Sequence, residues 1–251
     1  MALRTRSGHI SITSDRTLYR YIVKHQLGGG GFGEVVHAHL SNLGIDVAMK
    51  RFRRTAGRTE AVTSNWAKEY FTHEGLSHPN ILQVYDAFED DGHLYIVTEL
   101  ASDSVDRRLG FLWPDSVVAR AGMQIASALH YMHTGSSGGP LVHRDVTPQN
   151  IFYFEGQGIF KIGDFGISKR LEDPDTIAVT QVANWGYVAP ELAGPMGYTV
   201  PQSDLFQLGL VLYSMTANEH AIDQSLSLRE KKQAILSGSA YQRAEELLFT
   251  G

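Results

Sequence analysis

The segment Leu27–Val35 reads LGGGGFGEV, so that Gly28, Gly30 and Gly33 fit the spacing G-x-G-x-x-G. Residues without a Cβ let backbone N–H groups come close to phosphate oxygens, but a dinucleotide-binding turn and a merely flexible loop use the same spacing. The residues that follow separate these readings. A dinucleotide site needs strand, loop, helix, whereas EVVHAHL after this loop alternates as a strand does, which favours a glycine flap on a hairpin. Lys50 closes the run Val47-Ala48-Met49-Lys50. A solitary lysine is usually solvated, yet an ammonium aimed at phosphates must be held by an acid, and the stretch after it offers Glu69 and Glu74. Further on stand His143-Arg144-Asp145 with Asn150 five positions after the Asp, then Lys161-Ile162-Gly163-Asp164-Phe165-Gly166, then Ala189-Pro190-Glu191. Asn150 and Asp164 bring hard oxygen donors of the kind Mg²⁺ accepts. Either residue alone would more simply cap a turn; chance rarely sets all of these groups in this order.

Elements of two kinds must hold these groups. From Tyr19 to Leu100 the pattern is mostly strand: YRYIVKHQL, EVVHAHL, DVAMKRF, ILQVYDAF and HLYIVTEL, the last two joined by an EDDGH turn with an Asp-Gly hairpin signal. One helix interrupts them, from about Thr63 to His73, closed by Gly75. After the polar connector ASDSVD the period changes. Pro114 to His133 places Val117, Val118, Ala121, Ile125, Ala128, Leu129 and Met132 on one helical face. A strand-rich first lobe is therefore expected to precede a helical second lobe.

Composition narrows the partners. A net charge of -5 removes the usual electrostatic case for nucleic acid or an acidic membrane surface. Zero cysteines exclude a disulfide framework, a thiolate nucleophile and zinc-thiolate ligation, and suit a reducing, cytoplasmic location. The opening MALRTRSGHISITSD lacks a signal-like apolar stretch, and no run approaches the ~20 apolar residues of a spanning helix.

In this combination the chain resembles eukaryotic-type (Hanks-type) protein kinases, whose signature set joins the glycine loop, the strand lysine, HRD with its Asn, DFG and APE. The resemblance runs from about Tyr19 to His220. It implies an α+β bilobal fold: a lead-in over 1–18, then one kinase domain over 19–251, with a β-rich N-lobe at 19–100, a hinge at about 99–106 and a helical C-lobe at 107–251. It implies transfer of the γ-phosphate of Mg-ATP, with Mn²⁺ as an alternative ion, to a protein hydroxyl of Ser or Thr. In that scheme Asp145 accepts the hydroxyl proton, Asn150 and Asp164 hold the metal, and Lys50 positions the phosphates. Glu69 becomes the partner of Lys50, because it lies nine residues before the His78-Pro79-Asn80-Ile81 turn. Leu27, Gly28, Gly30, Gly33, Val35, Ala48, Thr98, Glu99, Ala101 and Phe152 would surround the nucleotide, and Asp103 or Asp106 its ribose. His143 and Phe165 would stack in a core column with His73 and Val84, and Asp204 would brace the catalytic loop. Between DFG and APE, Thr180 and then Thr176 are the phosphorylation candidates, with Arg144 and Lys169 to grip the phosphate.

The chain also departs from that family. Thr147 stands where Ser/Thr kinases carry Lys, and Ala183-Asn184 where they carry Gly-Thr, so both partners of one contact have changed; a Thr147–Asn184 hydrogen bond is the expected replacement. Loss of one electrostatic donor costs roughly 10²–10³ in rate. Glu191 normally pairs with an Arg on a late helix, only sixty residues follow it, and Arg243 is the candidate; the late helices of the C-lobe are expected to be missing or divergent. The competing readings are a catalytically weak or inactive pseudokinase acting as a scaffold or allosteric partner, and a small-molecule phosphotransferase of similar fold, which would lack the HRD and APE pairing.

Overall fold

The computed structural model describes residues 3–4, 10–13, 20–30, 33–52, 59–135, 139–165, 169–170, 184–193 and 200–241. These residues divide into two compact units, Met1–Ser77 with Leu82–Ala101, and His78–Ile81 with Ser102–Gly251.

The first unit is one antiparallel sheet with one helix. Its strands are β1 (Leu3–Arg4), β2 (Ile10–Thr13), β3 (Arg20–Gly30), β4 (Gly33–Leu40), β5 (Ile45–Phe52), β6 (Val84–Asp90) and β7 (His93–Glu99), and its helix is α1 (Thr59–Glu74). The sheet order is β1-β2-β3-β4-β5-β7-β6. Alternation decides which face is core: Tyr21, Ala38, Leu40, Val47, Met49 and Val97 bury one side together with Phe88 and Tyr95. On the other side α1 sets Trp66 and Tyr70 against Phe52, Ala87, Leu94 and Ile96, and the Trp66 indole donates to the Tyr95 carbonyl at 2.9 Å. The β6–β7 turn has Asp91 at φ 47° and Gly92 at φ 71°, the backbone that an Asp-Gly pair tolerates.

Two expectations need correction here. Residues 1–18 are not only a lead-in, because Ser11, Ile12 and Thr13 pair with Ile22, Tyr21 and Arg20; the run Ile10-Ser11-Ile12-Thr13, β-branched at every position but Ser11, adds a strand beside β3. The first lobe is also not continuous to residue 100. Residues 78–81 belong to the second unit: Asn80 Nδ2 donates to the Phe160 carbonyl at 2.9 Å, Ile162 N–H donates to the Asn80 carbonyl at 2.9 Å, and His78 stacks on Tyr131 at 5.3 Å. These are contacts distant in sequence, which hydrophobic period cannot reveal.

The second unit is helical. It contains β8 (Asp103–Ser104), α2 (Asp115–His133), β9 (Leu141–Val142), β10 (Ile151–Phe154), β11 (Ile159–Ile162), β12 (Lys169–Arg170), α3 (Pro190–Ala193), α4 (Pro201–Ala217) and α5 (Leu228–Ser237). In α2 the buried side chains are Val118, Ala121, Ile125, Ala128, Leu129 and Met132, each worth about 1.5–3 kcal/mol if it is a full-sized apolar side chain. Of the expected face only Val117 stays half-exposed. Pro201 opens α4 and left-handed Asn218 closes it. A Ser227–Glu230 capping box starts α5, and Gly238 at φ 77° stops it. Arg243 lies outside the described residues.

Candidate active site

In the first unit, register places the nucleotide candidates on one face. Val35 is opposite Lys50, His37 opposite Ala48, and Ala48 opposite Thr98; directly opposed residues project to the same side, so Val35, Ala48, Lys50 and Thr98 share the face away from the Tyr21 core. Gly28 pairs with Val35 and Gly30 with Gly33 at the tip of the hairpin. A Cβ on Gly33 would lie 2.0 Å from the Arg51 carbonyl oxygen, so packing within the sheet demands glycine there. A Cβ on Gly28 would meet nothing within 4 Å, so that glycine leaves open backbone rather than relieving a clash. Leu27 is half-buried beside it. Lys50 Nζ reaches both oxygens of Glu69, at 2.8 and 2.9 Å. Both side chains are largely covered, which keeps this pair from being a solvated ornament. Near the chain's passage to the second unit, Glu99 N–H donates to the Gln83 carbonyl, Glu99 Oε1 accepts from Gln83 N–H, and Thr98 Oγ1 donates to the Glu99 carbonyl; Ala101 follows, half-buried.

In the second unit the loop 143–150 is held from beneath by α4. Asp204, fully buried, accepts His143 N–H through Oδ2 at 2.8 Å and Arg144 N–H through Oδ1 at 2.7 Å. His133 Nε2 also reaches Oδ2, at 2.7 Å. One turn along α4, Gln207 receives Val146 N–H and donates to the Arg144 carbonyl. With two side chains serving four backbone groups and one imidazole, Arg144 can sit at φ 73°, a region unfavourable to a side chain with a Cβ. Asp204 was legible in the sequence; Gln207 and His133 were not singled out, although Gln207 lies on the same helical face three residues on.

The loop's own groups then converge. Asn150 Nδ2 donates to Asp145 Oδ2 at 2.7 Å and to the Asp145 carbonyl at 3.0 Å, which fixes the carboxylate and leaves Asn150 Oδ1 as the oxygen available to a cation. His143 Nε2 donates to the Gly163 carbonyl at 3.2 Å, Asp145 N–H donates to His143 Nδ1 at 3.3 Å, and the ring packs against Phe165 at 4.8 Å. A carbonyl can only accept and an amide N–H can only donate, so these partners select the neutral Nε2–H imidazole. Burial pushes the same way, lowering the His143 pKa against the opposing pull of Asp204 and Asp164. Asp164, the residue before Phe165, adopts φ 63°. In the first unit His73, 5% exposed, hydrogen-bonds through Nε2 with the Leu82 carbonyl, the satisfied core histidine of the plainer reading; Val84 is half-buried.

Asn150 and Asp164 suit Mg²⁺ chemically, being hard oxygen donors. Among the described residues no group of three or more His, Cys, Asp or Glu forms a protein-only metal cage, and Mg²⁺ ordinarily uses one or two carboxylates and takes its other ligands from water and phosphate. Phe152 pairs with Ser104 and Lys161 in the β8-β10-β11 sheet. Of the two ribose candidates, Asp103 Oδ1 accepts Ser104 N–H, while Asp106 opens a short 3₁₀ turn.

Several expectations meet different outcomes. The Thr147–Asn184 hydrogen bond does not form: Asn184 Oδ1 accepts Gly186 N–H at 3.1 Å, closing its own turn, and Thr147 is 2% exposed. Glu191 accepts a hydrogen bond from Ser203 Oγ, and its candidate partner Arg243 lies outside the described residues. Arg144 is 8% exposed, its pKa pulled below the usual range by burial, and among the described residues its guanidinium makes no hydrogen bond or ion pair. Lys169 pairs through its backbone with Val142; Thr176 and Thr180 lie outside the described residues.

A β-sheet unit with a lysine–glutamate pair, followed by a helical unit whose buried aspartate braces an HRD loop, is the architecture of a protein kinase domain. The family model for the protein kinase domain matches residues 21–246, and the chain belongs to that family. Among curated proteins it is similar to the serine/threonine-protein kinase PLK4 of Drosophila ananassae, 30% identical over 203 residues, covering 79% of this chain and 26% of that protein. It is likewise similar to PLK4 of Nematostella vectensis, 32% identical over 203 residues, covering 78% of this chain and 20% of that protein. The chain thus spans between a fifth and about a quarter of the length of these relatives.

Proposed function

We propose that this chain transfers the γ-phosphate of Mg-ATP to a Ser or Thr hydroxyl of a protein substrate in the cytoplasm. The observation that carries this reading is the Asp145 carboxylate, held by Asn150 Nδ2 at 2.7 Å in a loop that Asp204 and Gln207 brace from α4. An aspartate so fixed can take the proton of an incoming hydroxyl as it attacks. Lys50, steadied by both Glu69 oxygens, orients the phosphates under the glycine hairpin, and Val35, Ala48 and Thr98 offer a face to the base. Asn150 Oδ1 and Asp164 would hold Mg²⁺, which when bound offsets the negative charge on the phosphates.

A second reading has one observation in its favour. Thr147 is short and buried where the family carries a lysine, and Asn184 does not reach it, so the transferred phosphate lacks one cation. A kinase-shaped scaffold would show this too. Incubation with Mg-[γ-³²P]ATP and a generic protein substrate separates the two. Labelled protein from the wild type, a loss of about 10²–10⁴ in rate for Asp145→Asn and unchanged nucleotide binding are expected. Bound nucleotide without any label would favour the scaffold.

A further inference from the structure

The arm of the sheet that carries the glycine run has little of its own to hold it. Gly28, Gly29 and Gly30 on β3 lie opposite Val35, Glu34 and Gly33 on β4, so only Val35 and Glu34 bring a side chain to the pairing. A glycine-rich strand specifies its register weakly and packs nothing against its neighbour. The arm must therefore be fixed through β4 onto β5. Val35 shares the face of Lys50, and Glu34, the first residue of β4 with a side chain, takes the opposite face. There it lies directly opposite Arg51, whose Nη2 reaches Glu34 Oε1 at 2.5 Å. Beside this pair Gly33 comes so near the Arg51 carbonyl that a Cβ has no room. Arg51 thus meets the arm twice, by its backbone and by its guanidinium.

The same row of residues continues into the core. Arg51 lies opposite Tyr95 on β7, and its charge attracts the Tyr95 phenol oxygen. Tyr95 is 4% exposed, stacks on Phe88 of β6 with ring centroids 5.1 Å apart, and accepts the Trp66 indole of α1 through its carbonyl. Glu34, Arg51, Tyr95 and Phe88 are thus successive partners across β4, β5, β7 and β6, and the row ends among buried side chains. We infer that Glu34 and Arg51 are positioning residues: their ion pair fastens the glycine arm to this row and sets where its backbone N–H groups stand for the phosphates of a bound nucleotide. This rests on the kinase reading above. With side chains 37% and 21% exposed, Arg51 and Glu34 are less shielded than Lys50 and Glu69, so the effect is modest. The ordinary alternative, an ion pair that adds only to the stability of the whole sheet, differs in where the loosening falls when the pair is broken.

The test uses the whole chain with Glu34→Gln, Arg51→Gln and both together. In nucleotide-free protein, hydrogen exchange at the amides of Gly29, Glu34 and Val35 should quicken by about threefold in each single variant, the scale of one partly exposed ion pair. Exchange at Tyr21–Val23, toward the other end of β3, should stay as in the wild type. Loosening spread equally over Tyr21–Val23, or none at Gly29, Glu34 and Val35, would overturn the inference, and this readout needs no activity. The dissociation constant for Mg-ATP should rise by about threefold, with kcat for a protein substrate at saturating ATP unchanged. Because the two residues act through one contact, the double variant should bind no more weakly than either single one. Additive losses, or a fall in kcat with ATP affinity intact, would overturn it. Arg51→Lys, which keeps a cation opposite Glu34, should retain most of the wild-type affinity, and a loss as large as that of Arg51→Gln would count against the pair. If the wild type binds nucleotide but labels nothing, the kinase reading fails, while exchange and nucleotide affinity still decide whether the pair sets the arm.

Discussion

His143 ties a titration to the catalytic loop. Its neutral ring is saturated, with Nε2 giving to the Gly163 carbonyl and Nδ1 receiving Asp145 N–H, and it is fully buried. Protonation would set an N–H against the Asp145 N–H. Because burial lowers its folded pKa below the unfolded value of about 6.5, the unfolded chain binds the proton more readily; the stabilisation is present above about pH 6.5 and is lost as pH falls below it. The expected outcome is an unfolding free energy that falls as pH drops below about 6.5, with a contribution from this residue. Urea titrations of the wild type and His143→Leu over that range check it: the variant should be less stable at pH 7.5 and should show a shallower pH slope. Identical slopes would mean that another group titrates. The imidazole's place beside Asp145 was anticipated from the HRD order, but its tautomer required the neighbours that only folding brings.

At the scale of elements, α4 carries the loop more than the loop carries itself. Asp204 and Gln207 lie on one helical face and accept three N–H groups of residues 143–146. Asp204→Ala would leave the His143 and Arg144 amides buried without acceptors, each worth about 1–3 kcal/mol, so a destabilisation of about 3 kcal/mol or more is expected. Asp204→Asn, retaining one carbonyl oxygen, should lose about half of that. Chemical denaturation at pH 7.5 measures both, and an Ala variant within 0.5 kcal/mol of wild type, the usual scatter of surface changes, would show the loop to be self-supporting. The period of α2 and the Asp-Gly turn of β6–β7 were legible because they depend on neighbouring residues alone. The strand at Ile10–Thr13 was misread as lead-in, since its value lies in the edge of β3 to which it adds.

At the scale of the molecule, the chain holds a buried cation that invites an anion. The Arg144 guanidinium is 8% exposed and among the described residues makes no hydrogen bond or ion pair, while the attraction of the buried Asp204 carboxylate opposes the cost of its burial. The segment between DFG and APE carries hydroxyls at Thr176 and Thr180, and Thr180 lies eleven residues before Glu191. A phosphate there would bring ~-1.5 to -2 charges and one to three charge-assisted hydrogen bonds. Incubation with Mg-ATP is expected to place phosphate on Thr180 first, between molecules, and Thr180→Ala should turn over more slowly. Mass spectra of an active enzyme with neither threonine modified, together with full activity of Thr180→Ala, would remove this segment from regulation.

The sequence by itself determined the order and chemistry of the site. HRD with its Asn, DFG, APE, the glycine run and the strand lysine are local strings whose spacing survives without coordinates, and strand and helix periods placed them on the right kinds of element. It also chose Glu69 over Glu74 only through the family's spacing; the bidentate contact with Lys50 required α1 to lie across the sheet. Tertiary structure alone decided the rest. That residues 78–81 pack with Phe160 and Tyr131, that Asn184 turns to Gly186 instead of Thr147, and that Tyr187, Ser214 and His220 share hydrogens are pairings between segments far apart in the chain or between rival acceptors. Side-chain type fixes which groups can donate and accept; only the folded backbone fixes which of them meet.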